Sequence, residues 1–389
     1  MMAARDAGMK IAFVYDAIYP YVKGGAERRY YELAKKLCVQ HEVHLFGMKF
    51  WEGSVVIRNA DGIYLHGVCA PKSMYVQGRR SIYQALYFSL RLIVPLMNQD
   101  FDLVDCSSVP FFPIFVCKLY ALLKRKPLVV TWHEYLGEYW FTYLASRWKA
   151  LLARTIEFAA SRLPNCIVAV SEHTKADLVV HGVPLDSVRV VNNGLDVDEI
   201  RSAPISTHTS DLIFVGRLIR DKNVDVLLQA VRRLCKPMPE IKCNIVGDGP
   251  EKPRLLALRT ELGLESHVQF LGFLEDHGDV YGLMRASRVF VLPSEREGFG
   301  LVILEANACG LPVVVAGARH SAAASLVQDG ESGRICNLDA QEFADAAHAI
   351  LQDHEVRARM QRAALAWARR FDWSAMAAQM EDVYREAAR

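Results

Sequence analysis

Short β-branched runs alternate along this chain with segments whose apolar residues recur at helical spacing, the pattern of parallel sheets built from βαβ units. In the first half, runs at 10–16, 42–47, 55–58, 102–106, 127–132 and 166–171 predict strands. Between the first two, Tyr30, Leu33, Ala34 and Leu37 fall at helical spacing and predict a helix over 25–39. The second half restarts with Leu212-Ile-Phe-Val-Gly216 and continues with runs at 241–247, 267–271, 288–293 and 312–316, each followed by a helical stretch. A turn-rich hinge, Val190-Val-Asn-Asn-Gly-Leu-Asp196, separates the halves. The expected architecture is α/β, two doubly wound Rossmann-like domains facing across a cleft, over 1–192 and 193–370. A last helix over 371–389 carries Trp373, Met376, Met380, Val383 and Tyr384 on one stripe. It either packs on the second domain or crosses back to the first.

Composition agrees with a globular chain. Its 389 residues are 52% apolar and 23% charged, the scale of two ordinary domains. The richest apolar stretch, Ile82–Met97, is broken by Gln84, Ser89, Arg91 and Pro95, so no membrane-crossing helix is expected. The opening strand Lys10–Asp16 does not read as a signal peptide. Nine cysteines lie scattered, with no C-x-x-C pair and no Cys/His cluster. Reduced thiols and a cytoplasmic location are expected.

Charge changes the picture more. Residues 1–190 hold 23 Lys/Arg against 16 Asp/Glu, whereas 191–389 hold 23 against 28. A basic half beside an acidic one points to an anionic partner for the first, phosphate or anionic lipid, unless the charges merely decorate solvated faces. Nothing in the pattern calls for nucleic acid.

The segment with the most chemistry is Pro293-Ser-Glu-Arg-Glu-Gly-Phe-Gly-Leu-Val-Ile-Leu-Glu-Ala-Asn-Ala-Cys309. A strand runs into a glycine turn that opens an apolar helix, and the first N–H groups of such a helix attract anions. Glu297 precedes that helix and Glu305 lies more than one turn into it, so the two carboxylates can stand roughly 9–12 Å apart. This suits a hexose at one end and a ribose at the other, with a pyrophosphate between. The plainer reading is a turn with two solvated acids. Arg217 and Lys222 follow the strand at 212–216, where open α/β sheets bind ligands, and both suit pyrophosphate oxygens.

Three further candidates accompany them. Gly24 and Gly25 precede the first helix, where a backbone can come very close to a ligand. His133 ends the run Leu128-Val-Val-Thr-Trp-His and is a candidate partner for a substrate hydroxyl or a developing charge. The turns after 245–246 and 268–272, with Gly247, Gly249 and Phe273, are candidates to line a base pocket.

Taken in order, Gly24-Gly25, His133, Asn193-Gly-Leu-Asp196, Gly216-Arg217-Leu with Lys222, Val246-Gly-Asp-Gly-Pro250, Leu271-Gly272 and Glu297-Gly-Phe-Gly-Leu-Val-Ile-Leu-Glu305 resemble the retaining family-4 glycosyltransferases, which have the GT-B fold. The resemblance implies transfer of a hexosyl unit from a UDP- or GDP-linked donor, with retention and without an essential metal or other cofactor. It implies that Arg217 and Lys222 neutralise the diphosphate, that Glu297 holds the donor sugar, and that Glu305 holds the ribose. Phe299, Gly300 and Leu301 belong to the same donor-binding element. His133 is implied to contact the sugar near the reacting carbon, Gly25 the diphosphate through its N–H, and the last helix to return to the first domain. Many relatives have Asp after the cleft histidine. This chain has Glu134, to which no role is assigned.

The implied chemistry is physically coherent, because cations and helix amides stabilise a departing diphosphate where its charge develops. A nicotinamide oxidoreductase would need a G-x-G-x-x-G fingerprint at a first strand, which neither half has. A non-catalytic sugar-nucleotide-binding or scaffold protein of the same fold is the alternative. The expected acceptor is a glycan or lipid-linked molecule in surface polysaccharide or glycoconjugate synthesis. Basic residues at 79–80, 91, 118, 124–126 and 147–154 accompany apolar ones, and Tyr143–Leu163 can form an amphipathic helix. Peripheral contact with an anionic membrane at its inner face is one reading of that helix, and burial against the sheet the other.

Overall fold

The computed structural model describes residues 8–76, 79–144 and 146–388. It divides into two compact units, one running to Asn193 and resuming at Trp373, the other Gly194–Asp372.

The first unit is built on eight strands: β1 (Lys10–Val14), β2 (Glu42–Gly47), β3 (Val56–Arg58), β4 (Tyr64–Gly67), β5 (Leu103–Ser107), β6 (Leu128–Trp132), β7 (Cys166–Ala169) and β8 (Val188–Val190). Their order in the sheet is β8-β7-β6-β5-β1-β2-β4-β3, parallel throughout except β3 against β4. The order reverses between β1 and β5, which makes their carboxyl ends a ligand-binding position of the doubly wound kind. Strands buried on both faces explain the continuous apolar runs that announced them. The pattern missed β4 and β8. Tyr-Leu-His-Gly and Val-Arg-Val are too short and too polar to form a run, yet neighbouring strands bury most of them.

Helices cover both faces of this sheet. On one face lie α1 (Gly25–Leu37) and the C-terminal helix Trp373–Ala387, whose apolar stripe packs with Phe13, Tyr30 and Leu33 in one core. On the other lie α2 (Ile82–Met97), α3 (Phe112–Lys124), α4 (Arg147–Ala160) and α5 (Glu172–Val180), packed over a second core. The C-terminal helix is fixed by a buried polar cluster as well as by packing. The Asp105 carboxylate accepts from Tyr384 Oη at 2.6 Å, Tyr30 Oη at 3.0 Å and Thr131 Oγ1 at 3.0 Å.

The helix expected over Tyr143–Leu163 is shorter than that. It is α4, ending before Leu163-Pro164, where the residue ahead of a proline is turned from helical geometry. Residue 145, within the expected span, lies outside the described residues. Nor is its apolar face buried on the sheet as a whole. Ala150, Glu157 and Ala160 face inward and Ile156 is half-buried, while Leu151 and Leu152 are exposed.

The second unit is a six-stranded parallel sheet of β9 (Ser210–Val215), β10 (Cys243–Val246), β11 (Val268–Gly272), β12 (Ser287–Leu292), β13 (Val313–Ala316) and β14 (Gly333–Cys336). Its order is β11-β10-β9-β12-β13-β14, so the chain reverses between β9 and β12. β14, Gly-Arg-Ile-Cys, carries no readable alternation and is specified by pairing with β13. Among the described residues no helix is long and apolar enough to cross a membrane.

Candidate functional site

The reversal between β9 and β12 collects most of the sequence candidates of the second unit. β9 ends at Val215, and Gly216-Arg217-Leu218 leads into a short 3₁₀ turn, Arg220–Lys222. β12 ends at Leu292 and leads through Ser294 to Glu297. The two loops are tied at the Asp221 carbonyl, which accepts from Glu295 N at 2.9 Å and from the buried Ser294 hydroxyl at 3.3 Å. That tie brings Lys222 Nζ into direct ionic contact with Glu297 Oε1. The side chains are 16% and 11% exposed, so removing either partner strands a poorly solvated charge and costs more than breaking a surface pair. Arg217 leaves the same loop and is exposed.

Glycines allow the loops to close. Gly247 has φ +132°, and a Cβ there would fall 1.9 Å from the Gly216 carbonyl oxygen. A Cβ on Gly249 would meet the Leu218 backbone at 2.4 Å. Backbone bonds hold the approach, from Gly216 N to Val246 O at 3.0 Å and from Leu218 N to Asp248 O at 2.9 Å. Gly247 N donates to Gly272 O at 2.7 Å, which brings in the end of β11, where Phe273 presents an exposed ring.

After Glu297 the chain turns through the buried Phe299 and Gly300, in the left-handed region at φ +94°, and enters α6 (Leu301–Ala308). Glu305 lies on that helix, where its Oε1 accepts from the Tyr281 hydroxyl at 3.1 Å. Tyr281 carries no motif, and its bearing on Glu305 becomes visible only in three dimensions.

In the first unit the candidates gather at the carboxyl ends of β1, β5 and β6. His133 follows β6 directly, with its backbone N–H donating to Ser108 Oγ at 3.4 Å. The loop beyond it is pinned by buried Glu157, whose carboxylate accepts from Leu136 N, Gly137 N and Trp140 Nε1, each at 2.8 Å. The imidazole Nε2 is shielded from solvent and has no hydrogen-bond partner among the described residues. Withdrawal from solvent, with a smaller contribution from the Arg29 guanidinium, holds the ring down to about 3, so His133 is neutral near pH 7. Arg29 is itself fully buried and donates to Asn192 O at 2.6 Å and Asn193 Oδ1 at 3.0 Å.

Gly24 and Gly25 stand at the start of α1, neither with positive φ. The Glu27 side chain folds back over Gly24, so a Cβ there would come within 2.3 Å of its Oε2, whereas a Cβ on Gly25 would meet nothing within 4 Å. The positive end of α1 therefore already faces a carboxylate, which accepts from Tyr15 Oη at 3.1 Å and which burial pushes upward in pKa. Beside it, at the end of β1, fully buried Asp16 accepts from Arg80 Nη2 at 2.7 and 3.0 Å. No local pattern announces this acidic pair, since its partners come from separate elements.

Among the described residues no three His, Cys, Asp or Glu side chains converge as metal ligands would.

Comparison with known proteins matches these two units to two family models. Residues 23–199 match Glycosyltransferase Family 4, and residues 197–367 match Glycosyl transferases group 1. A D-inositol 3-phosphate glycosyltransferase of Saccharomonospora viridis is 34% identical over 241 residues, covering 57% of this chain and 55% of that protein. The chain spans about half the length of the curated relatives it matches. Among solved structures, HepE of Anabaena in complex with UDP superposes with a TM-score of 0.74 at 24% identity, covering 97% of this chain and 100% of that one. Sucrose-phosphate synthase of Thermosynechococcus elongatus gives 0.78 at 21%, covering 97% and 98%.

Proposed function

Because the chain belongs to glycosyltransferase family 4 and has the GT-B fold, we propose that it is a retaining, metal-independent hexosyltransferase using a nucleotide-diphosphate sugar. UDP is the first nucleotide to test, being the one carried by the related HepE structure, and GDP the second. The observation that carries the reading is the Lys222–Glu297 contact at the reversal of the second sheet, beside exposed Arg217 and the glycine-closed turns.

In this reading Arg217 and Lys222 take the charge that develops on the departing diphosphate. Glu297 accepts from hydroxyls of the donor sugar, and Glu305, aimed by Tyr281, from those of the ribose. Gly25 offers its N–H to the diphosphate, with no side chain in the way. Neutral His133 offers Nε2 near the reacting carbon as a hydrogen-bonding group rather than as a proton carrier. The bond from the anomeric carbon to the phosphate oxygen breaks as a bond to the acceptor oxygen forms on the same face. The acceptor proton passes to the departing phosphate, which leaves as the nucleoside diphosphate.

The acceptor is a glycan or a lipid-linked or phosphate-bearing molecule in surface polysaccharide or glycoconjugate synthesis, reached at the inner face of a membrane. The curated relatives are named for D-inositol 3-phosphate, which belongs in the acceptor panel.

Release of nucleoside diphosphate from a panel of sugar nucleotides, with and without acceptors, tests the reading. Turnover with one donor class, a product of unchanged anomeric configuration, and full activity in EDTA are expected. Charge removal at Arg217 or Lys222 should lower kcat/KM by at least roughly a hundredfold. Restoration by Mg²⁺ after loss in EDTA would overturn metal independence, and donor binding without turnover would favour a non-catalytic binder.

A further inference from the structure

The helices on one face of the first sheet have their polarity reversed on the outside. Their inner sides are ordinary core, with Phe88 and Leu92 of α2 and Ile114 and Tyr120 of α3 buried. The outer side of a surface helix is normally charged and polar. Here α2 presents Leu86, Leu90 and Val94 at four-residue spacing, all exposed, and only one charge, Arg91. α3, packed beside it, exposes Phe115, Leu119, Leu122 and Leu123. α4 adds exposed Trp148, Leu151, Leu152 and Phe158. Exposed apolar residues in such number on one side of a sheet mark a partner or a membrane.

The charges on the same segments select between those. Residues 82–97, 112–126 and 147–160 hold eight Lys and Arg and a single acid, Glu157, which is buried. The basic residues concentrate where α3 ends. There a cavity of about 410 Å³ is lined by Lys118, Leu122, Arg125, Lys126 and Asn165, beside the last residues of the C-terminal helix. Arg125 closes α3 in the left-handed region, φ 56°, a position that favours glycine. Lys126 is partly engaged by Asp102 at 3.6 Å, and Arg154 by Glu138 at 2.8 Å. A twofold dimer through this face would set two equally basic surfaces against each other. An apolar face edged with cations suits a bilayer carrying anionic lipid.

We propose that the outer face of α2, α3 and α4 docks on an anionic phospholipid surface, and that the cavity at the end of α3 receives a lipid phosphate among Lys118, Arg125 and Lys126. The proposal deepens the membrane part of the functional reading and is independent of the donor chemistry.

Flotation of the full chain with vesicles tests it. The protein should float with phosphatidylcholine–phosphatidylglycerol vesicles at low salt, less at high salt, and not with phosphatidylcholine alone. The Lys118→Gln/Arg125→Gly variant should bind the anionic vesicles about thirtyfold more weakly, at roughly 1 kcal/mol for each basic residue near the surface. Since glycine suits the left-handed position, Arg125→Gly should keep or raise the thermal midpoint, which separates lost binding from lost folding. Leu90→Gln/Leu122→Gln should remove the salt-resistant part of the binding, with donor turnover in solution unchanged. Equal binding to both vesicle types, binding to neither, unaltered binding by both variants, or a dimer dissolved by Leu90→Gln/Leu122→Gln would overturn the proposal. Donor turnover without vesicle binding would remove this inference and leave the transferase reading intact.

Discussion

Lys222 and Glu297, 75 residues apart in the chain, meet in a sheltered ion pair. The sequence resemblance assigns one to the diphosphate and the other to the donor sugar, and the fold makes them a single unit. Each therefore holds the other in position, and removing either leaves a partly buried charge alone. Alanine at 222 and at 297 should each lower kcat/KM, while the double variant loses less than the two losses combined. The coupling should be about 1–3 kcal/mol in a double-mutant cycle on kcat/KM and on the thermal midpoint. Strict additivity in both measurements would mean that the two side chains act separately.

Gly247 and Gly25 stand in candidate loops for different reasons, and substitution tells them apart. Alanine at 247 would collide with the Gly216 carbonyl and strain a left-handed backbone, so it should destabilise the second unit by about 2–4 kcal/mol and weaken donor binding with it. Alanine at 25 has open space, ordinary φ and better helix propensity, so the melting temperature should hold or rise. A loss in kcat/KM of at least about tenfold at an unchanged melting temperature would then report the close approach of a ligand to this backbone. Full activity in Gly25→Ala would remove it from the donor site.

What the sequence made legible, and what it hid, follows from the range of the contacts. Strands such as β6 and β12 are buried on both faces and announce themselves as apolar runs, and the turn at Glu297–Gly300 is written in adjacent residues. β4 and β14 have no such signature, because neighbouring strands supply their reason to exist. The same holds for polar groups. Asp16 and Arg80 lie 64 residues apart, and Asp105 and Tyr384 lie 279 apart, so no local pattern links them. The stripe on the last helix was readable, but which core it enters became certain only with the bond from Tyr384 to Asp105.

That bond carries a pH dependence. Burial raises the Asp105 carboxyl to about 6 from the ordinary 3.8, while three hydroxyl donors and Arg29 oppose the rise. The native state therefore takes up this proton before the unfolded state does. The group contributes stability that is fully present below about pH 4 and is lost as pH rises through about 6. Asparagine cannot accept all three hydroxyls and should cost about 1–3 kcal/mol. The gap in thermal midpoint between wild type and Asp105→Asn should be wider near pH 4.5 than near pH 7.5. Hydrogen exchange in Trp373–Ala387 should quicken in the variant. A gap that is constant across this range would show that Asp105 is ionised throughout.

His133 shifts the other way. Its ring is held down to about 3, below the ordinary 6.5, chiefly because its nitrogen is withdrawn from solvent. The unfolded chain takes up a proton as pH falls below about 6.5 and the native state does not, so stability from this residue is present above that pH and is lost on acidification towards about 3. Relative to His133→Gln, the wild-type protein should therefore lose stability between pH 6.5 and 4. The catalytic consequence is sharper. A group that is neutral throughout this range cannot supply the acidic limb of a rate profile. The dependence of kcat/KM on pH between about 5 and 8 should have the same shape in wild type and in His133→Gln, although the variant's values are lower throughout. Ring ¹⁵N shifts of His133 should stay those of a neutral imidazole down to about pH 4. A rate limb near pH 6.5 that disappears in His133→Gln, with a matching ¹⁵N titration, would make His133 a proton carrier and overturn the neutral hydrogen-bonding role.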